Sequence, residues 1–282
     1  MTRRIGHGAW AAAAAGALAL AGCQSMSGPV VDPQVYAAQE VNIDSLSQAV
    51  ARNPSDPDAY NTRGAAYARI GNYDKAIADF TQAVKINPGF AKAYANRALA
   101  EDKLGNRNAA LADYGRAIQA DQNYGIAYVG RGNLYRQAGQ LQQALADYQA
   151  ALNIDPHNAQ ALHNQGLTYQ LQGQQQAAID SFGRAITLDV NAVPPYIARG
   201  QSEIAVGDIK EAIDDFNTAI SLDPKNLDAW LGRGAAYEKA NDLQHARAAY
   251  ARAIEINPAS NVARGDFARV GGDYNQSYSL LN

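Results

Sequence analysis

Apolar and small side chains recur along most of this chain at a fixed interval. Written in rows of 34 residues from Pro57, the sequence fills six rows up to Ser260 with neither insertion nor deletion. Columns 20 and 27 are alanine in every row, and column 8 is glycine in five rows and alanine in one. Column 24 is always aromatic, and column 4 is aromatic in all rows except the fourth, which has Leu162. A constant period of this length predicts a stack of repeated structural units.

Within each row the spacing predicts two helices. Columns 4, 7, 8 and 11 share one face of a first helix, and columns 20, 24 and 27 share one face of a second. Column 15 is glycine in five rows and asparagine in one, and these residues tolerate the left-handed backbone at a helix C-terminus. Column 32 is proline in four rows, which stops the second helix, whereas Gln122 and Val190 there are weaker stops. The pattern therefore predicts an all-α protein.

A 34-residue helix–turn–helix unit with small residues in columns 8 and 20 and proline in column 32 resembles the tetratricopeptide repeat. The likeness extends over six units: 57–90, 91–124, 125–158, 159–192, 193–226 and 227–260. Because one unit cannot bury its apolar face alone, the resemblance implies an α-solenoid, a right-handed superhelix of stacked units.

The segments beside the repeats are predicted to cap the stack. Residues 41–56 place Leu46, Ala49 and Pro54 in columns 24, 27 and 32, so we expect a half repeat that acts as an N-terminal capping helix. Residues 261–282 begin as a short capping helix near Asn261–Arg269 and then become rich in Gly, Asn and Ser, which predicts a mobile tail.

The N-terminal segment has the features of a secretory signal. Arg3 and Arg4 precede an apolar run of small residues, which is shorter than the roughly 20 residues of a membrane span. The only cysteine follows as Leu20-Ala21-Gly22-Cys23, which resembles the lipobox of bacterial lipoproteins. The resemblance implies a signal peptide at 1–22, an acylated (palmitate-bearing) Cys23 and a flexible tether at 23–40 that reaches roughly 20–25 Å. Ordinary signal peptidase cleavage is the alternative.

The residue after the cysteine predicts the compartment. Gln24 stands where an aspartate would retain a Gram-negative lipoprotein in the inner membrane, so the resemblance implies the outer membrane and its periplasmic face. The formal net charge of −3 comes without a cluster of Lys and Arg, which argues against nucleic-acid binding. A single cysteine also excludes an intramolecular disulfide.

Column 7 is arginine in five rows, where this repeat family often has leucine. Column 23 is aspartate in four of those rows, and the fourth row has lost both, with Gln165 and Ser181. A ladder of arginines that grips acidic ligands is one interpretation. The joint loss favours the other, a structural pair between the two helices of a repeat: Arg63–Asp79, Arg97–Asp113, Arg131–Asp147 and Arg199–Asp215. Arg233 lacks its acid, because column 23 is Ala249 in that row.

The sequence gives no convincing catalytic site, so we predict a protein that is not an enzyme and has neither a metal nor a cofactor. His157, His163 and His245 have neither metal-ligand spacing nor a partner for nucleophilic chemistry. In this repeat family, columns 2, 5, 9, 12 and 13 line a concave groove. The candidate peptide-binding residues are Asn61, Arg69, Asn96, Lys103, Asn133, Arg136, His163, Asn164 and Gln201. Simple solvation of a polar face is the alternative.

These features together predict a non-enzymatic scaffold that binds other envelope proteins or peptides. Lipobox and repeats together resemble tetratricopeptide lipoproteins of the new lipoprotein I type, which implies peptidoglycan hydrolases as clients. The alternative is an assembly factor of the same architecture, similar to the pilotin lipoproteins or to the repeat lipoprotein of the β-barrel assembly machinery. The sequence leaves open both the client and whether the protein is a monomer or a homodimer.

Overall fold

The computed structural model describes residues 43–273, which form fourteen helices and no strand. The helices are α1 (Ile43–Arg52), α2 (Pro57–Arg69), α3 (Tyr73–Ile86), α4 (Ala91–Lys103), α5 (Arg107–Ala120), α6 (Gly125–Gln137), α7 (Leu141–Ile154), α8 (Ala159–Leu171), α9 (Gln175–Leu188), α10 (Val193–Val206), α11 (Ile209–Leu222), α12 (Leu227–Lys239), α13 (Leu243–Ile256) and α14 (Asn261–Arg269). The predicted all-α repeat fold is confirmed. The predicted signal peptide, Cys23, the predicted tether and residues 274–282 lie outside the described residues.

Each row of the sequence forms one helical hairpin, from α2 and α3 in repeat 1 to α12 and α13 in repeat 6. Every helix packs on the helices before and after it, with α1 covering α2 at one end and α14 covering α13 at the other. The first helices of successive hairpins also contact each other, from α2 with α4 to α10 with α12. These first helices therefore form one continuous wall, which we call the inner face.

The core lies between the hairpins and is built from alanine and aromatic rings. All six alanines of column 20 are fully buried, and the column 24 rings, such as Phe182, lie beside them. The glycine of column 8 faces the ring of its own repeat: a Cβ on Gly166 would lie 2.5 Å from Phe182 Cε1. No side chain fits there without displacing the ring, so the small residues of column 8 set the distance between the two helices.

The turn after each first helix has the left-handed backbone that column 15 predicts. Five glycines and Asn241 have φ between 59° and 95° at this position. The second helices all end at column 30 and have column 31 as their C-cap, including the two that lack proline in column 32. Column 31 is always Asp or Asn in an extended or nearly extended conformation, and its side chain accepts a hydrogen bond from the backbone N–H two residues later, as Asp121 does from Asn123 at 2.9 Å. This turn stops the second helix, and proline is therefore not required.

Candidate functional site

The four predicted Arg–Asp pairs join the first and second helix of their repeats. In each, arginine Nε and Nη2 donate to the two carboxylate oxygens of aspartate over 2.7–2.9 Å. The aspartates are buried and the arginines partly buried, and the hydrogen bonds to aspartate raise the pKa of each arginine. Each guanidinium is occupied by its own repeat, so these arginines form structural pairs.

The first helices position the candidate groove residues along the inner face, but they differ in burial. Arg69, Lys103 and Gln201 are exposed, whereas the other six are buried or partly buried. In repeats 1 and 2, Asn96 Nδ2 donates to Asn61 Oδ1 at 2.9 Å, and both side chains are about 4% exposed. This hydrogen bond holds α2 against α4, so these two amides contribute first to the packing between repeats.

The candidate residues of repeats 3 and 4 form a connected polar cluster together with two further side chains, Tyr148 and Thr168, and we call it the central cluster. Its members are Asn133, Arg136, Tyr148, His163, Asn164 and Thr168. The phenol of Tyr148 donates to Asn133 Oδ1 at 2.7 Å, and its ring is fully buried against Gly132. Burial raises the pKa of Tyr148 to about 12, against the opposing effect of the Arg136 charge and of hydrogen bonds with Arg136 and Thr168. The phenol therefore stays neutral and remains a donor.

His163 is buried in this cluster as a neutral imidazole. It is 5% exposed, its ring lies 5.5 Å from the ring of Phe182, and burial together with the charge of Arg136 lowers its pKa to about 4. Its Nδ1 has no hydrogen-bond partner among residues 43–273. At neutral pH this side chain can accept or donate one hydrogen bond but carries no charge.

Tyr148 is not among the site residues predicted from the sequence, because column 24 shares a helix face with the alanines of columns 20 and 27. A signal was nevertheless present, because column 12 is charged in the three rows where column 24 is tyrosine. The pairs are Asp102 with Tyr114, Arg136 with Tyr148 and Glu238 with Tyr250. The three rows with phenylalanine have Ala68, Gln170 and Ile204 in column 12. A buried tyrosine in column 24 thus accompanies a charged side chain in column 12 on the inner face.

Within the described part of the chain, no group of three or more His, Cys, Asp or Glu side chains has the arrangement of a metal site. Among the helices between residues 43 and 273, none combines the length and the hydropathy of a membrane span.

Family models of the tetratricopeptide repeat match most of the helical region. The matched residues are 57–90, 91–124, 132–173, 159–190 and 197–261. A search of curated proteins finds no significant match.

Solved structures with the same fold include three that cover most of this chain. The crystal structure of the APC/C hetero-tetramer Cut9–Hcn1 has a TM-score of 0.67 at 18% identity; the match covers 82% of this chain and 46% of that one. PilW, a type IV pilus biogenesis factor, has a TM-score of 0.68 at 19% identity over 74% of this chain and 97% of its own. YrrB, described as having an unusual peptide-binding site, has a TM-score of 0.57 at 26% identity over 66% of this chain and 96% of its own.

Proposed function

Because the chain belongs to the tetratricopeptide-repeat family, we propose that it is a non-enzymatic scaffold that binds segments of partner proteins on its inner face. The observation that carries this proposal is the central cluster, where buried and partly buried polar groups lie on a continuous wall of first helices. Polar groups in such a position can form hydrogen bonds with the backbone and side chains of a bound peptide. Because folding has already removed much of the water around them, binding adds less to the free-energy cost of desolvation.

The place of the scaffold follows from the N-terminal sequence. Acylation of Cys23 would attach the chain to a membrane through at least two fatty chains, which is enough for stable anchoring. Gln24 supports sorting to the outer membrane, with the repeats facing the periplasm at the end of the tether. The partners in that compartment would be envelope proteins, and peptidoglycan hydrolases are our first candidates.

A second candidate function is that of an assembly factor for pili or outer-membrane proteins. It is favoured by the likeness of the fold to PilW over nearly the whole of that protein. At 19% identity this likeness concerns the fold alone. Both candidate functions use the same inner face, and they differ in the client that it binds.

Affinity purification from envelope fractions tests the proposal. The bait would be the full chain, compared with an inner-face variant that combines Asn133→Ala with Arg136→Ala. A variant with Gln142→Ala and Gln143→Ala, two exposed residues on the second helix of the same repeat, is the matched control. We expect the inner-face variant to lose its partners and the control to keep them. Hydrolases among the partners support the first candidate, and secretin or barrel-assembly subunits support the second.

Unchanged capture by the inner-face variant would refute binding on this face. The anchor is tested separately by palmitate labelling of Cys23→Ala, which should abolish incorporation. Continued labelling would show that Cys23 is not the acylated residue.

A further inference from the structure

We propose that Arg136 anchors a carboxylate of the bound peptide, so that the central cluster selects an acidic side chain or a free C-terminus. This inference rests on the proposed function, because it concerns the same inner face, and it adds the chemistry of the ligand. Arg136 lacks the aspartate partner that the column 7 arginines of four repeats have.

The column 7 arginines of four repeats each hold an aspartate, whereas Arg136 makes no ion pair with any residue between 43 and 273. Arg136 is partly buried, and its Nε is shielded from solvent without a hydrogen-bond partner in the described chain. A guanidinium in such a place has lost part of its hydration and gains more from an incoming anion than an exposed one does.

The other members of the central cluster are neutral, so none of them forms an ion pair with Arg136. His163 is uncharged at neutral pH, Asn164 is a buried amide, and the phenol of Tyr148 stays protonated. These groups can donate or accept hydrogen bonds beside a bound carboxylate, but they do not compete with it for the guanidinium. The central cluster is therefore electrostatically complementary to one negative charge.

The neighbouring repeats restrict where that charge can lie. In repeat 2, column 12 is Asp102, which would repel an anion one repeat away from Arg136. In repeat 6, column 12 is Glu238, which is already bonded to Arg269 and Tyr250. Among the six described repeats, only repeat 3 has a cation in column 12, Arg136, so we expect the carboxylate to bind at repeat 3.

Four small probes test this directly: N-acetylglutamate α-amide, N-acetylglutamine α-amide, N-acetylalanine and N-acetylalanine amide. The first and third carry a side-chain and a C-terminal carboxylate, and the other two are their neutral counterparts. Because Arg136 Nε is shielded from solvent, its N–H resonance should be visible in nitrogen-15 spectra of the full repeat region. We expect a saturable shift of this resonance with the acidic probes and little shift with the neutral ones. Whichever acidic probe binds more tightly identifies the source of the carboxylate.

Arg136→Gln should weaken binding of the acidic probes by about tenfold or more, as loss of a charge-assisted pair predicts. Arg184→Gln removes an exposed cation on the second helix of repeat 4, away from the groove residues, and should leave binding unchanged within about twofold, which is the matched control. Equal shifts from acidic and neutral probes, no saturable shift from any probe, or undiminished binding by a folded Arg136→Gln variant would each overturn the inference. None of these results bears on capture of partners from the envelope, where the proposed function is tested separately.

Discussion

Removing Asp147 should harm the fold more than removing Asp147 and Arg131 together. Arg131 donates to Asp147 over 2.9 and 2.8 Å, and the two side chains are 24% and 7% exposed. Asp147→Ser leaves a partly buried guanidinium without its acid. Breaking a buried pair costs about 3–5 kcal/mol, and the remaining exposure of Arg131 reduces our expectation to about 2–3 kcal/mol. Repeat 4 supplies the neutral replacement, because Ser181 there lies 3.4 Å from Gln165.

The double variant Arg131→Gln with Asp147→Ser reproduces that natural pair, and we expect it to lose about 1 kcal/mol or less of the free energy of unfolding. Urea unfolding followed by circular dichroism gives the four corners of the cycle: wild type, each single variant and the double variant. The fitted slope must be equal in all four, since repeat arrays can unfold in more than one step. If the loss in the double variant equals the sum of the losses in the two single variants, the two side chains are not coupled and the reasoning is wrong.

Three further predictions concern buried groups in other repeats. Ala249→Asp should stabilise the fold by about 1 kcal/mol in urea unfolding, because it supplies the acid that the shielded Nε of Arg233 lacks; a loss of stability would contradict this. Burial raises the pKa of Glu203 from 4.5 to about 7, so the free energy of unfolding falls as pH rises between those values. Glu203→Gln removes this effect and should raise the free energy of unfolding by up to about 3 kcal/mol above pH 7. A pH profile of unfolding that is unchanged by this substitution would refute it. Gly232→Ala should cost about 1–3 kcal/mol, since its Cβ would lie 2.2 Å from a buried ring, whereas Gly115→Ala, in open space, should be neutral or stabilising; thermal melts that rank them in the opposite order would contradict the geometry.

The fold could be predicted because its determinants are local in the sequence. Alanine in columns 20 and 27 and glycine in column 8 act at short range, between the two helices of one hairpin or between neighbours. A period of 34 residues repeats the same contacts, so six rows provide six independent observations of one packing arrangement. The same comparison of rows identified the Arg–Asp pairs, since row four changes both residues.

The stop of the second helix shows what the sequence analysis overlooked. Proline in column 32 predicts a stop in four repeats and makes Gln122 and Val190 weaker stops. Asp121 and Asp189 in column 31 stop those helices, because each side chain accepts a hydrogen bond from the backbone two residues later. The pattern was uniform in column 31 and was therefore readable from the sequence.

The burial of the inner-face side chains could not be read from their columns. Column 5 places Asn61 and His163 alike on the inner face, but what each contacts depends on the residue in the next repeat or on the facing second helix. Asn61 is bonded to Asn96, and His163 packs on Phe182. A column gives the direction of a side chain, whereas its burial and pKa depend on three helices at once. The column pattern therefore predicts which residues line the groove, but not which of them carry unpaired polar groups.

The inner face is chemically linked to the core through the column 24 rings. Where the ring is tyrosine, its hydroxyl group interacts with the charged residue of column 12: the phenol of Tyr250 donates to Glu238 at 3.0 Å, and Asp102 contributes to the raised pKa of Tyr114. A phenylalanine in the same place offers nothing to hold such a charge, and column 12 is then apolar or an amide. A buried hydroxyl group is favourable only when it is hydrogen-bonded, so core and groove must change together. The charge pattern that a ligand meets is thus tied to residues that it never touches, and Arg136 can serve as an anchor because Tyr148 lies behind it.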